Sequence, residues 1–541
     1  MWKSCRSRQT VICRSHQTEM TLLPTSRRAF LGSVALAAPA LLTRGLSQSG
    51  VRIKQPFTLG VASGDPWPDG MVLWTRLAPR PLEADGGMPP VAVQVHWQVA
   101  DDEHFARIIR QGVARAEPAA AHSVHVEVSG LHPGRPYFYR FLAGGESSPV
   151  GRTRTAPAVG AIVDRLRLCF GSCQKSESGY YAGWRHLVAE DPDLIVFLGD
   201  YIYETPPDPK SLRPHTTPEP FNVTGYRLRY ASYKLDPLLQ AAHAAAPWAT
   251  IWDDHEVAND YADQRDQTNS DPVAFLRRRA AAYQVYWEHM PLRAIAHPSG
   301  PSAKIYRTLD WGDLAQFQLI DDRQYRGSRA CQRAALPDGR LPYDSLMLDC
   351  PQRHDSSRTM LGSTQETWLL DALGSTKAQW NMLAQQTLMV PFASISEKTP
   401  NLGAVMHSAD RWEGYPAARD RIFRCWSQTR TPNPIVLSGD VHVFVTADIR
   451  HPDRPDGAPI ATEFAGGSLT SLEPHPYWQA EAKANSGVHF AENLVRGYAR
   501  MDLTTKGCDV AYRGLTDARD PASGIANIAH FAIEPGKAGI A

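Results

Sequence analysis

Thiol, phenol, carboxylate and imidazole side chains recur in this chain immediately after short apolar runs. Cys173 follows the run 166–171. Asp200 and Tyr203 follow 194–199, and Asp253, Asp254, His255 and Asn259 follow 247–252. Asp440 and His442 follow 434–439, and Arg323 stands behind Asp321 and Asp322 at the end of 315–320. A single such ending has a bland explanation: a capping Asp, a turn Gly or a structural His. The four that end in Cys173, Asp200, Asp253-Asp254-His255 and Asp440-Val441-His442 together suggest a common one. Parallel strands bring their carboxyl ends to one rim, where open α/β sheets bind ligands. Carboxylates crowded there repel one another and call for cations at neutral pH. Oxygen-rich clusters suit hard ions, whereas a thiolate and a phenolate point to iron. Two metals ~3.5–4 Å apart could share a bridging Asp, hold a phosphoryl oxygen and acidify water towards pH ~7. That is hydrolysis without a protein nucleophile.

The elements that must position these groups follow from texture. With 541 residues, the chain exceeds one ordinary core. Its 43% hydrophobic and 21% charged content is that of a globular protein. A net charge of +1 gives no reason to expect a nucleic-acid partner. From 51 to 158 the runs alternate apolar and polar, as β-strands do. The stretch Leu131-His132-Pro133-Gly134-Arg135-Pro136-Tyr137 is similar to a corner of fibronectin type III sandwiches. His96, His122, His125 and His132 on these strands read as packed or solvent-facing residues. The segment 149–163 reads as a linker and 326–363 as a surface insertion. From 165 onward, strands alternate with helical stretches such as 365–373, and the last residues read as a covering tail. Tyr201, facing away from Asp200 and Tyr203, reads as packing.

The first 50 residues form a leader. Ser26-Arg27-Arg28-Ala29-Phe30-Leu31 precedes an alanine-rich apolar run too short to span a bilayer. It matches a twin-arginine signal, which makes the export machinery a partner and the periplasm or exterior the destination. No stable membrane anchor is expected after processing. Eight cysteines are scattered along the chain. Cys331 and Cys350 could pair in an oxidising compartment or remain two free thiols.

Taken together, Phe-Gly-Ser-Cys-Gln (170–174), Leu-Gly-Asp-Tyr-Ile-Tyr-Glu (198–204), Trp-Asp-Asp-His-Glu-Val-Ala-Asn-Asp (252–260), Asp-Asp-Arg-Gln-Tyr-Arg (321–326) and Ser-Gly-Asp-Val-His (438–442) resemble the alkaline phosphatase D, or PhoD-like, family. The resemblance implies an α/β metallophosphatase-like αββα sandwich at 159–541 behind a fibronectin III-like β-sandwich at 51–158. It implies an exported, metal-dependent phosphoesterase acting on phosphate mono- or diesters through metal-activated water. Its cofactors would be Fe³⁺ and Ca²⁺, with zinc or another divalent ion still open. Cys173, Asp200 and Tyr203 would hold iron, with Asp200 bridging. Asp253, Asp254, Asn259 and Asp440 share the remaining metal contacts without being apportioned. His255 and His442 are ligands, phosphate contacts or groups behind the ligands, with His442 favoured at the leaving group. Arg323 is either a clamp on the substrate phosphate or half of a surface ion pair with Asp321 or Asp322. The alternatives are a phospholipase D-like diesterase, a redox iron protein and a non-catalytic secreted binding protein. The absence of haem-type or Fe–S cysteine motifs weighs against the redox reading.

Overall fold

Two sheets stack face to face, and the apolar runs that end in candidate site residues supply their middle strands. The computed structural model describes residues 52–541 apart from 269, 332–345, 396–404 and 473–476. The expected leader with Arg27 and Arg28 lies outside the described residues. In the first sheet the strands run Ile525–Ile533, Cys508–Leu515, Gly497–Thr504, Arg165–Gly171, Leu194–Phe197, Trp248–Thr250, Val61–Trp67, Gly70–Arg76 and Ser123–Val128. Arg165–Gly171, Leu194–Phe197 and Trp248–Thr250 are mutually parallel. The second sheet runs Arg307–Trp311, Ala315–Leu319, Trp380–Ala384, Pro434–Ser438, Pro459–Gly466, Phe444–Arg450 and Val488–Glu492. Its strands from Ala315–Leu319 to Pro459–Gly466 are again parallel.

The lack of polar alternation in these runs has a direct cause. Met382, Ala384, Ile435 and Leu437 face the core that also holds Phe170 and Val196 of the first sheet. Leu383 and Val436, one residue out of phase, pack with Leu369, Leu373, Ile422, Phe423 and Trp426 of the helices Gly362–Ser375 and Pro416–Thr429. Both faces of the strand are buried, so both must be apolar. Helices Ala182–Ala189, Val223–Lys234, Pro237–Ala245 and Pro272–His289 bring Trp184, Tyr230, Leu239 and Tyr286 to the first core. Two of them begin where the sequence signals a start. The carboxylates of Asp236 and Asp271 accept backbone N–H groups of the first turn, and proline follows each. This is the expected αββα arrangement.

The N-terminal sandwich is also present. Val61, Met71, Leu73, Val124 and Val126 pack against Val95, Val99, Tyr137, Tyr139 and Phe141. The Tyr137 hydroxyl accepts the His132 N–H at 2.9 Å and turns back on the His132 carbonyl, closing the Pro-Gly corner. One sheet of this sandwich is continuous with the first large sheet, because Val61–Trp67 pairs in parallel with Trp248–Thr250.

Three local readings need correction. The linker expected at 149–163 contains the strand Gly151–Arg154, which pairs with Pro136–Ala143. The expected tail is an edge strand, Ile525–Ile533, set against Cys508–Leu515. The expected insertion at 326–363 begins with a fully buried Arg326 and contributes the strand Leu346–Leu348, paired with Val405–Ser408. Cys331 and Cys350 form a disulfide. Among the described residues no helix is long and apolar enough to cross a membrane.

One buried group makes this core sensitive to pH. Lys234 is 1% exposed; its side-chain nitrogen lies 3.4 Å from His243 Nε2 and over the rings of Trp74 and Tyr201. His289 also faces it, and its own imidazole is held neutral by burial and by Arg76. Burial pushes the Lys234 amine well below its ordinary value. Between that depressed value and the ordinary one near 10.5, the unfolded chain holds the proton and the native chain does not. Stability therefore rises with pH across this window, by at most about 1.4 kcal/mol per pH unit from this group. In Lys234→Met, chemical denaturation measured from pH 6 to 10 should show a flatter curve than the parent; an unchanged slope would contradict the assignment.

Candidate metal centre

The strands release their polar residues through strained backbone. Cys173, Asp200, Asp440 and His442 have φ of 59°, 57°, 60° and 55°. Each such left-handed residue costs roughly 1–2 kcal/mol. The glycines before the aspartates are required for close approach. A Cβ on Gly199, whose φ is 103°, would lie 2.4 Å from Asp253 Cβ, and one on Gly439 would lie 2.7 Å from Ser172 Oγ.

These turns bring together most of the residues singled out from the sequence. Donor atoms of Cys173, Asp200 and His442 lie within 4.8 Å of one another. So do those of Asp200, Asp254 and His255, and those of Asp253, Asp254 and Asp440. Asp200 and Asp254 each belong to two groups, so the three are contiguous. The Tyr203 hydroxyl joins the first group: it lies 2.7 Å from Asp200 Oδ2, 3.0 Å from His442 Nε2 and 2.7 Å from Ser471 Oγ. Asn259 lies at the edge, with its backbone N–H on Glu204 and its side-chain amide on Gln267. Tyr201 packs in the core against Tyr230, its hydroxyl on His243.

Arg323 occupies neither of its two expected places. Its side chain is fully buried, which rules out a surface ion pair. Its Nε donates to Asp253, its Nη1 to Asp410 Oδ2 at 2.6 Å and its Nη2 to Asp440 Oδ1 at 3.0 Å. Asp322 Oδ1 is 3.7 Å away. The guanidinium is therefore a counter-ion beneath the carboxylates rather than a group at their surface.

Two histidines have their tautomers set by neighbours. A carbonyl can only accept, so His442 Nδ1, 2.9 Å from the Leu472 oxygen, carries a proton. His255 Nδ1 donates to Glu204 Oε2 at 2.6 Å, and its ring lies 4.1 Å from that of Tyr203. Burial works against the His255 cation, yet Glu204 and Asp200 outweigh it and raise this imidazole well above its ordinary value.

The donor set fits cations. Asp200 Oδ1 and Asp253 Oδ2 are buried oxygens with no hydrogen-bond partner. A bound ion would supply the partner that each of these oxygens lacks. Burial pushes the Asp253 carboxyl well above the carboxylate range, with Asp254 and Asp200 adding to the rise against Arg323. Burial also opposes ionisation of Asp254, but Arg323 and His255 prevail and hold it at about 2. The Cys173 thiol is pushed far up by burial and by Asp200. Bound cations reverse that logic and favour thiolate and carboxylates alike.

Several residues of the centre escaped the sequence reading. Glu256 is fully buried and accepts the backbone N–H groups of Asp200, Tyr201 and Asp253 at 3.1, 2.7 and 2.9 Å. Gln386 donates to the carbonyls of Trp252 and Ile320 and accepts from Asp322, tying the rims of the two sheets together. Asp410 pairs with both Arg323 and Arg326, and Glu204 orients His255. For Glu204 and Glu256 the signal was present, since each adjoins a motif. Asp410 has no such neighbour. Glu256→Gln presents an amide to one of the three donors and should cost about 1–3 kcal/mol in denaturant unfolding. It should also weaken metal retention on dialysis. Parental values for both would show that the carboxylate does not hold the loops.

The family model for the PhoD-like phosphatase matches residues 168–512, and that for its N-terminal domain matches 45–157. Alkaline phosphatase D of Bacillus subtilis (strain 168) is 42% identical over 496 residues, covering 90% of this chain and 82% of its own. A solved structure of PhoD superposes with a TM-score of 0.83 at 40% identity, over 90% of this chain and 92% of that one. The chain, with its acidic rim between two sheets, belongs to the PhoD-like phosphatase family of metal-dependent phosphoesterases.

Proposed function

We propose that this phosphatase works outside the cytoplasm and holds Fe³⁺ and Ca²⁺ in the cluster around Asp200. The observation that carries the reading is the contiguity of the three donor groups, in which Asp200 is shared. A thiol and a phenol beside Asp200, Cys173 and Tyr203, suit iron. The all-oxygen side at Asp253, Asp254 and Asp440 suits calcium, with the Asn259 side-chain oxygen as a further donor. When bound, the metals supply Lewis acidity and a nucleophile derived from water.

The chain's own residues do the rest. Asp200 and Asp254 join the groups, so phosphorus would be met from a single side. Ser471 and Asp200 orient the Tyr203 hydroxyl. His442 has an 18% exposed side chain and so faces the opening. With Nδ1 fixed on Leu472, a second proton can reside only on Nε2, which can then donate to the leaving-group oxygen. His255, held by Glu204, presents its other edge to Asp200 and Asp254 and balances their charge.

Export is supported by the Arg27-Arg28 motif and by the Cys331–Cys350 disulfide, which an oxidising compartment preserves. Chromogenic monoester and diester hydrolysis should both fall to background with chelator, and elemental analysis of exported protein should find iron and calcium. Zinc in their place would refute the ion assignment. Asp200→Asn should lose bound metal and activity together; full activity in it would end the bridging role. Replacing Arg27 and Arg28 by Lys should retain the protein in the cytoplasm, and continued export would remove the twin-arginine reading.

A further inference from the structure

We propose that Tyr233 is a positioning residue of the centre, its hydroxyl holding the loops of Cys173 and Tyr203 at the separation a shared iron needs; this rests on the iron assignment above. Cys173 and Tyr203 leave different strands of the first sheet. Close to those strands the two loops are joined by backbone: the Cys173 N–H donates to the Gly199 carbonyl and the Gln174 N–H to that of Asp200, both at 3.1 Å. Further out the link is a side chain. The oxygen of Tyr233, a residue only 1% exposed, accepts the N–H of Ser176 at 3.3 Å and that of Tyr203 at 3.1 Å. Its own proton has one destination. His215 Nδ1 lies 3.2 Å from the Thr205 carbonyl and so carries a proton. Burial and the nearby Arg229 lower this imidazole to about 4, so the ring is neutral. Its Nε2 is therefore an acceptor, 3.0 Å from the Tyr233 hydroxyl. One donor and both acceptor positions of the hydroxyl are used.

The helix Val223–Lys234 holds Tyr233 still. It begins at Asn222, whose side chain accepts the Gly225 N–H. Tyr226, Tyr230 and Tyr233 recur at spacings of four and three and so share one face. The Tyr226 hydroxyl donates to the Val257 carbonyl at 2.5 Å, in the loop of Asp254 and His255. The Tyr230 ring stacks on that of Tyr201, between Asp200 and Tyr203. Arg229, one turn before Tyr233, donates from Nη1 to the carbonyls of Tyr203 and Thr205. Tyr203 is thus gripped by its N–H and its C=O from a single helix, while its phenol reaches Asp200 and His442. Of these side chains, Tyr233 is the one that touches both loops whose donors would share iron. Removing its oxygen would leave two N–H groups without their acceptor and free the loops to part.

The test uses full-length exported enzyme and three variants. Tyr233→Phe removes the oxygen with little change in volume. Tyr230→Phe makes the same change on the same helix, at a buried hydroxyl with no hydrogen-bond partner among the described residues, and is the control. His215→Gln keeps the Tyr233 oxygen but replaces the ring that takes its proton. In Tyr233→Phe the chelator concentration that removes half the iron should fall ~10- to 100-fold, the loss typical of groups that orient metal ligands. Calcium retention should stay parental, and the visible band of iron bound to thiolate and phenolate should shift. Amide hydrogen exchange should quicken at Ser176 and Tyr203. His215→Gln should move the same readouts by a smaller factor, and it carries the test if Tyr233→Phe does not fold. Parental iron retention and spectrum in the variant that carries the test overturn the proposal. So does an equal loss of iron and calcium, which would make Tyr233 a general support of the fold, or an equal loss of iron in Tyr230→Phe. If the parent holds no iron, the ion assignment fails separately, and exchange at Ser176 and Tyr203 still decides whether Tyr233 holds the loops.

Discussion

One buried carboxylate sets the geometry on which the centre depends. Glu256 takes three backbone N–H groups, two from the loop that carries Asp200 and one from the loop that carries Asp253. Those loops leave neighbouring parallel strands and would otherwise splay at their ends, because nothing in a parallel ladder continues past the last residue. Burial and the nearby Asp200 carboxylate push Glu256 up to about 8, so holding it ionised is costly, and the three N–H donors offset part of that cost. The clamp lets two acidic loops approach each other despite their repulsion. Gly199 makes the approach possible sterically, since any side chain there would collide with Asp253.

The second sheet is attached to this arrangement through amides rather than charges. Gln386 bonds to carbonyls after a strand of each sheet, and its own carbonyl accepts the Gly439 N–H at 2.6 Å. The turn bearing Asp440 is thereby fixed relative to the turn bearing Asp253. Arg323 then spans the gap electrostatically, touching Asp253 from one sheet and Asp440 from the other. Five aspartates, at 200, 253, 254, 410 and 440, meet three arginines at 323, 326 and 411. Arg323 and Arg326, both fully buried, neutralise the underside.

Much of this was legible in the chain because it is local. A run of apolar residues that ends in polar ones announces a buried strand and its exit, with Gly-Asp marking a tight one at Asp200 and Asp440, and Cys173, Asp253, Asp254 and His442 stand at or just beyond such ends. The buried strands showed in the same runs, which lack alternation because both faces are covered, whereas the sandwich was implied by the family resemblance. What stayed hidden depends on pairings distant in sequence. Arg323 reads as a clamp or a surface residue until Asp410, Asp253 and Asp440 are seen around it. Asp410 sits in a segment with no strand or glycine signature, and its orientation is set by neighbours far along the chain. The strand Ile525–Ile533 was missed because an edge strand with half-exposed residues has a weak pattern.

The placement of the thiol has a further consequence for how the centre is assembled. Cys173 is fully buried among carboxylates that raise its affinity for a proton, so without a cation it is a neutral thiol. A metal held there would displace that proton, so its loading would be favoured as pH rises. The donors come from four strand exits between residues 173 and 442, so they meet only once both sheets have formed. A cation therefore cannot be held by a nascent or translocating unfolded chain with the same affinity; loading follows folding.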